Sequence, residues 1–170
     1  MDIILNRRSV RLFDVNKKVT YEDMYELVRY GEAAPSARRQ KGREYIIIDD
    51  KKIIDELATI SKGALVLANC EACIAVVGKN PDGLVTPLMQ IQDLAAATEN
   101  ILLAATSKGI GSCWIGVAPI EDRTNLATKI LNVGNGGFVF SIIALGYPLN
   151  NYAFYDANKL EDNMIHHNRY

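Results

Sequence analysis

Apolar and polar positions follow regular spacings along most of this chain, and the spacings predict a series of helices and strands. Thr20 can cap a helix whose apolar residues Met24, Leu27 and Val28 recur at helical intervals. Short apolar runs bounded by polar or turn residues predict four strands, at 44–49, 73–78, 112–117 and 138–146. Further helices are expected over about 51–60 and 120–131.

The longest helical pattern starts at Pro87 and stops before Gly109, a residue suited to a helix C-cap. Its apolar positions form one wide face: Leu88, Ile91, Leu94, Ala95, Thr98, Ile101, Leu102 and Ala105. Apolar strands together with such a helix predict an α/β or α+β domain in which a sheet is layered with helices. No repeat or linker interrupts the chain, so residues 1–170 are expected to form a single domain.

Composition places the chain among soluble globular proteins. It has 170 residues, of which 49% are apolar and 23% charged. No apolar run reaches the roughly 18 residues of a membrane span, and the polar, basic N-terminus does not resemble a signal peptide. Three cysteines without an export signal predict reduced thiols in a cytoplasmic protein. A net charge of −1 argues against binding to nucleic acid.

Positive charge is concentrated near the start of the chain. Residues 1–44 hold ten Lys and Arg against seven Asp and Glu, and the total is −1, so the remainder carries −4. In an extended segment Arg7, Ser9 and Arg11 share one side, because side chains there repeat every two residues. Two guanidinium groups and a hydroxyl suit a phosphate. From the residues alone, a phosphate site and a solvated basic strip both remain open.

Other motifs give weaker indications of chemistry. The stretch 109–116, "GIGSCWIG", lacks the dinucleotide fingerprint because Trp114 stands where the third glycine is needed. Cys70 and Cys73 form a C-x-x-C, but we interpret them as small residues leading into a strand, since zinc needs further ligands. The His pair at 166–167 is expected in a surface tail. No metal site and no hydrolase triad are therefore predicted.

Four segments, in order along nearly the whole chain, resemble motifs of the FMN-dependent nitroreductase family. They are "RRSVRLFD", "AAPSARRQKGREYIIID", "IQDLAAATENILLAATSKGIGSCWIG" and "IIALGYP". The resemblance implies an α+β fold with a central, mostly antiparallel sheet layered with helices. It also implies an intertwined homodimer that holds FMN at the subunit interface. A C-terminal arm, about residues 150–170, would cross to the partner.

Twelve positions match residues that contact FMN in that family: Arg7, Arg8, Ser9, Arg11, Pro35, Ser36, Ala37, Arg39, Lys41, Gly116, Val117 and Lys159. By this resemblance the basic cluster at 7–11 would engage the phosphate and ribityl chain, with Arg11 reaching the pyrimidine edge of the flavin. The segment 35–37 would pack against the flavin from the partner subunit. A backbone N–H at 116–117 would meet flavin N5.

Two of these positions depart from the family pattern, which has Asn where this chain has Arg39 and Gln where it has Lys41. Arginine and lysine only donate hydrogen bonds, whereas amides also accept them. Flavin N3–H would therefore lose a side-chain acceptor, and the added charge should shift the potential or the choice of substrate. Lys159 matches a basic phosphate-contacting position, but its usual arginine neighbour is Asn158 here.

The implied activity is ping-pong hydride transfer. NADH or NADPH reduces FMN through N5 and leaves, and an electron-poor small molecule such as a nitroaromatic or quinone is reduced in its place. No side chain is expected to be catalytic, because the flavin carries the chemistry. Two alternatives stay open: a specialised flavin-dependent dehydrogenation or ring cleavage, and a non-catalytic FMN-binding module. The short stretch between Gly78 and Pro87 leaves little chain for a lid.

Overall fold

The fold is described by a computed structural model that covers residues 2–150 and 164–170. Its helices are α1 (Ile3–Asn6), α2 (Tyr21–Glu32), α3 (Lys51–Leu57), α4 (Gln90–Ser107) and α5 (Glu121–Ile130). Its strands are β1 (Arg43–Ile48), β2 (Ala72–Gly78), β3 (Gly111–Gly116) and β4 (Phe138–Gly146). Short 3-10 segments lie at Ala37–Arg39, Lys62–Asn69, Pro81–Gly83 and Pro87–Met89.

The four strands form one antiparallel sheet in the order β1-β2-β4-β3, so β1 and β3 are its edges. In the central strand β4, Ile142 and Ala144 point to one face, and Ile143 and Leu145 point to the other. All four side chains are fully buried, so helices and turns cover both faces of the sheet.

The two faces carry different partners. On one face lie α3, the 62–69 segment and α5. On the other face lie α2 and α4, which bury Met24, Leu27, Leu94 and Ile101 completely. Burying a side chain of this size stabilises the fold by about 1.5–3 kcal/mol.

The segment 7–13, called here the N-terminal strap, meets the outer edge of β3 at Ser112 and then lies beside Pro148, just after β4. Val10 N–H donates to the Ser112 carbonyl at 2.9 Å, and Ser9 forms a parallel bridge with Ser112. Val10 and Phe13 are buried and anchor the strap, whereas Ser9 and Arg11 remain exposed. Phe13 fits over Gly146, where an added Cβ would lie only 2.6 Å from the ring. The strap therefore covers part of a sheet edge that would otherwise be open.

Several local predictions are confirmed. Thr20 caps α2, with its hydroxyl accepting from Asp23 N–H at 3.1 Å and the Asp23 carboxylate accepting from Thr20 N–H at 3.1 Å. Gly109 follows α4 with φ +71°, a conformation that glycine adopts at little cost.

The long helix begins later than the pattern predicted. Residues 87–89 form a 3-10 turn, and α4 starts at Gln90. Leu88 is 90% exposed and Ile91 is 42% exposed, so the N-terminal end of the predicted apolar face is uncovered in a single chain. β1 is also less buried than predicted: as an edge strand it keeps Tyr45, Ile46 and Ile47 partly exposed.

The α+β class, with an antiparallel sheet layered by helices, is confirmed. None of the helices in the described parts of the chain has the length and apolar character that a membrane crossing needs. Lys159 and most of the 150–170 arm lie outside the described residues, so arm exchange and the role of Lys159 stay predictions.

Candidate functional site

Arg7 leads the strap out of α1 and reaches the side of α4. Its Nε lies 3.0 Å from Glu99 Oε1, and both side chains are partly exposed. Partial burial raises the pKa of the Glu99 carboxyl above its usual value, and the Arg7 charge opposes this rise without cancelling it. The Arg7 guanidinium is therefore close to the protein surface. It is paired with the Glu99 carboxylate, whose charged form is disfavoured by burial.

The other basic residues of the strap lie beside Arg7. Arg8 is partly buried and its Nη1 donates to the Arg7 carbonyl. Arg11 is exposed, and its Nη1 donates to the Ser9 carbonyl at 3.2 Å. Burial raises the pKa of the Cys113 thiol on β3, while the positive charges of Arg11 and Arg7 act to lower it. Both arginines thus place their charge near the same part of β3.

The C-terminal end of β3 presents a backbone N–H at the same sheet edge. The Phe140 carbonyl accepts from Val117 N–H at 3.2 Å and from Ala118 N–H at 3.0 Å. Because bonding direction alternates along an antiparallel strand, the Gly116 N–H points away from β4, toward the edge that the strap meets at Ser112. Gly116 is exposed, and a Cβ built there would have no heavy atom within 4 Å. A planar group can approach this backbone closely.

Val117 sits differently from Gly116. It is fully buried, and its N–H is already bonded to Phe140. Of the two predicted positions, Gly116 is therefore the one whose N–H faces outward.

The loop between α2 and β1, residues 33–42, carries the predicted 35–37 segment and Arg39. It is pinned to α4: Ala37 N–H donates to Asp93 Oδ1 at 2.9 Å, and Gln40 Nε2 donates to Asp93 Oδ2 at 2.8 Å. Asp93 and Glu99 are six residues apart on α4, roughly 9 Å along its axis. The same helix therefore holds both the strap and the loop.

Arg43 holds the start of this loop from inside. Its guanidinium donates to the carbonyls of Glu32 at 2.8 Å, Ala34 at 2.6 Å and Pro35 at 3.3 Å. It also donates to the Glu32 carboxylate at 3.0 Å and to the Asp93 carbonyl at 3.3 Å. Arg43 is 9% exposed, and these contacts give its guanidinium a structural role.

Arg39 and Lys41 both reach solvent, at different places. Arg38 and Arg39 have φ of 50° and 55°, in the left-handed region that arginine disfavours. Lys41 lines a groove of about 1130 Å³ that runs along β1, with Tyr45 and Val133 among its walls. β1 is the opposite sheet edge from β3, so within one chain Lys41 lies away from the strap.

Sequence reasoning missed Asp93, Gln40 and Glu99, and it gave Arg43 no structural role. Asp93 and Glu99 are polar residues in an apolar helix, which is the one signal that could have singled them out. The pairing of Gln40 with Asp93 spans 53 positions and has no local signature.

Cys70 lies just before β2 and Cys73 lies within it, as expected of small residues that lead into a strand. Cys70 and Cys73 are buried free thiols, and burial raises the pKa of both. His166 and His167 are exposed. Within residues 2–150 and 164–170, no three His, Cys, Asp or Glu side chains come together as a metal-binding group.

The chain is similar to known proteins over its whole length. Residues 66–147 match the protein-family model described as "Nitroreductase family". A candidate NADH dehydrogenase/NAD(P)H nitroreductase from Archaeoglobus fulgidus is 32% identical, with 100% of this chain and 98% of that protein covered. The crystal structure of a candidate NADH oxidase from Clostridium acetobutylicum matches with TM-score 0.93 and 35% identity, covering 99% and 100% of the two chains.

A further solved structure supports the fold alone. An FMN-dependent nitroreductase from Clostridium difficile R20291 superposes with TM-score 0.88 over 99% of this chain and 98% of that chain, at 24% identity.

Proposed function

This chain belongs to the nitroreductase family, and from that premise we propose that it is an NAD(P)H-dependent oxidoreductase that works with FMN. The observation that carries the proposal is the outward Gly116 N–H on β3, at the sheet edge that the arginine-rich strap meets at Ser112. The Gly116 N–H is a hydrogen-bond donor with no side chain in front of it. The strap is a source of positive charge for a phosphate.

The residues present fit FMN in three respects. Arg7 and Arg11 stand on either side of Ser9, which is bridged to Ser112 on β3, so both bring positive charge to this part of the sheet edge. Ser9 lies between them in the strap and is exposed. At Gly116 the space that a Cβ would fill is open, which allows a flat ring to approach the backbone.

Each residue then has a defined task. Arg7, Arg11 and the Ser9 hydroxyl would hold the phosphate and ribityl chain through charge-assisted hydrogen bonds. Arg11 would also bring positive charge to the pyrimidine edge, where negative charge develops on reduction. The Gly116 N–H would orient the ring at N5. When bound, FMN supplies the chemistry itself, taking a hydride from NADH or NADPH and passing it to an electron-poor acceptor.

We further propose that the working unit is a homodimer, in which the 35–37 segment and Arg39 of one subunit border the flavin of the other. Support comes from apolar side chains left uncovered just before α4 and in its first turn. Val85, Leu88, Met89 and Ile91 are all exposed in the single chain. An exposed apolar patch of this kind is typical of a subunit interface.

The deciding experiment is anaerobic reduction of the FMN-loaded protein by NADH and, separately, by NADPH. Bleaching of the flavin absorbance by either nicotinamide, followed by reoxidation with a quinone or nitroaromatic, is the expected result. A flavin that binds but is reduced by neither nicotinamide would favour the specialised conversion or the non-catalytic module instead. Failure to bind FMN at all would overturn the proposal.

A further inference from the structure

Asp93 is a buried carboxylate that accepts hydrogen bonds from the 33–42 loop. It is 8% exposed, and its two oxygens accept from Ala37 N–H at 2.9 Å and from Gln40 Nε2 at 2.8 Å. Gln40 is 7% exposed, so both partners are removed from water. A buried polar group that loses its hydrogen-bond partner destabilises the fold. The contact between Asp93 and Gln40 is therefore strongly favoured over arrangements that leave either group unpaired.

The orientation of the Gln40 amide is fixed by a second contact. Gln40 Oε1 accepts from Thr86 N–H at 3.0 Å, and Gln40 Nε2 donates to the Thr86 carbonyl at 3.1 Å. If the amide were rotated, its oxygen would face both the Thr86 carbonyl and the Asp93 carboxylate. Asp93 must therefore be an acceptor at both oxygens.

The turn that Asp93 holds has an unfavourable backbone conformation. Arg38 and Arg39 are consecutive left-handed residues, and neither is glycine or asparagine. Within the turn itself, Arg39 N–H donates to the Ser36 carbonyl at 3.1 Å and Gln40 N–H to the Ala37 carbonyl at 3.0 Å. Such a conformation persists where surrounding contacts determine it. Arg43 donates to the Pro35 carbonyl just before the turn. Asp93 accepts from Ala37 within the turn and from Gln40 just after it.

We propose that Asp93 is a positioning residue that holds the 36–39 turn in its left-handed conformation through Ala37 and Gln40. Its consequence for the cofactor rests on the proposed function, in which this turn borders the partner's flavin. Asp93 then fixes where Ser36 and Arg39 stand before the cofactor arrives, which lowers the cost of ordering the loop on binding.

The test is Asp93→Asn in the purified full chain, read by trypsin cleavage after Arg38 and Arg39. The asparagine carbonyl can still accept from Ala37 N–H, but its NH₂ then faces the Gln40 NH₂, and no rotation of either amide satisfies all partners. We expect cleavage at these two sites to rise about tenfold, equal to ~1.4 kcal/mol in the opening equilibrium. Thr98→Val is the matched control on α4, because it removes the Thr98–Ser141 hydroxyl contact and leaves the loop contacts intact.

A compensating variant separates positioning from general damage. Asp93→Asn with Gln40→Glu restores an acceptor opposite the new NH₂ and keeps the acceptor for Thr86 N–H, so only the contact to the Thr86 carbonyl is lost. Cleavage should return to within about threefold of wild type. If Asp93→Asn does not fold, Gln40→Glu alone, which sets two carboxylates together, is compared with the double variant in the same way. Cleavage at wild-type level in Asp93→Asn, or equal cleavage in the Thr98→Val control, would overturn the inference.

FMN affinity is measured on the same proteins as a separate readout. Raised cleavage with weakened FMN binding supports both the positioning role and the flavin contact of the turn. Raised cleavage with unchanged FMN affinity supports the positioning role, and it removes the 35–39 segment from the proposed flavin site.

Discussion

Arg7 and Glu99 form an ion pair that joins the N-terminal strap to α4, with Arg7 Nε 3.0 Å from Glu99 Oε1. Arg7 is also the first residue of the proposed phosphate site. A phosphate bound there would share the guanidinium with a carboxylate, and the two anions would repel each other. Glu99 therefore opposes the anion that the strap is proposed to bind.

This competition predicts opposite effects of two substitutions. Arg7→Ala should weaken FMN binding about ten- to hundredfold, since a hydrogen bond to a charged group contributes ~1.5–3 kcal/mol. Arg11→Ala should act in the same direction. Glu99→Gln should tighten FMN binding by about two- to fivefold, as exposed pairs interact by up to ~1 kcal/mol. Fluorescence titration with FMN measures all three; unchanged affinity in both arginine variants would remove the phosphate site.

Glu99 also predicts a pH effect on stability. Its carboxyl pKa is raised in the folded protein, because partial burial outweighs the attraction of Arg7. A raised folded-state pKa contributes stability that is fully present below the unfolded value of about 4.3 and is lost as pH rises through the folded value. The free energy of unfolding of Glu99→Gln should therefore rise relative to that of wild type as the pH increases from 4 to 7. Urea unfolding at several pH values tests this, and parallel pH curves would contradict it.

Gly116→Ala tests the proposed approach of the flavin to β3. The new Cβ has no neighbour within 4 Å in the protein, and alanine reduces chain entropy in the unfolded state, so the free energy of unfolding should hold or rise by about 0.5 kcal/mol. FMN affinity should fall by roughly tenfold if the ring lies against this backbone. Gly83→Ala is the control, because Gly83 is equally open and lies in the groove along β1, at the sheet edge opposite β3. Equal FMN affinity in the two variants would place the ring elsewhere.

The sheet was predictable from sequence because each strand is an apolar run with clear ends. β4 was predicted at 138–146 and is found at Phe138–Gly146, between glycine on one side and a Tyr-Pro turn on the other. α4 was predicted too long at its start, since apolar spacing does not distinguish a 3-10 turn from the first turn of an α-helix. The exposure of Leu88 shows that an apolar face predicts burial without indicating which chain covers it.

In the candidate site too, local sequence patterns were predictive and tertiary contacts were not. A local pattern was enough to predict an extended segment with Arg7, Ser9 and Arg11 on one side, but not the contact of that segment with β3 at Ser112. The hold of Asp93 on the loop could not be predicted, since it depends on tertiary contacts to residues more than fifty positions away. Nor could the sequence separate Gly116 from Val117, because the direction of each N–H depends on the register with β4.

Arg39→Asn tests both the strain in the loop and its place at the flavin. Asparagine tolerates φ of 55° better than arginine does, so the free energy of unfolding should rise by about 1 kcal/mol. Loss of a positive charge beside the ring should also lower its two-electron potential. Arg38→Asn is the matched control: its φ of 50° predicts the same gain in stability without a shift in potential. If spectroelectrochemistry shows no shift in either variant, Arg39 does not lie beside the flavin.

A truncation after Asn150 tests whether the C-terminal arm holds the dimer and its flavin together. The cut keeps the contacts that secure the strap, namely the Phe13–Pro148 bridge and the Leu149 N–H bond to the Leu12 carbonyl at 3.1 Å. It removes Met164 and Ile165, which are 64% and 62% exposed in one chain. Each would stabilise a dimer by about 1.5–3 kcal/mol if buried against a partner.

The expected result is a monomer by light scattering that loses FMN absorbance on gel filtration, because assembly and cofactor binding stabilise each other. Met164→Ser with Ile165→Ser in the full chain is the companion variant. It keeps the length of the arm and removes only the apolar contact, so it should weaken the dimer without abolishing the fold. If the truncated protein remains dimeric with full flavin content, the arm does not hold the dimer, and the exposed apolar residues Leu88, just before α4, and Ile91, in its first turn, become the candidate contact.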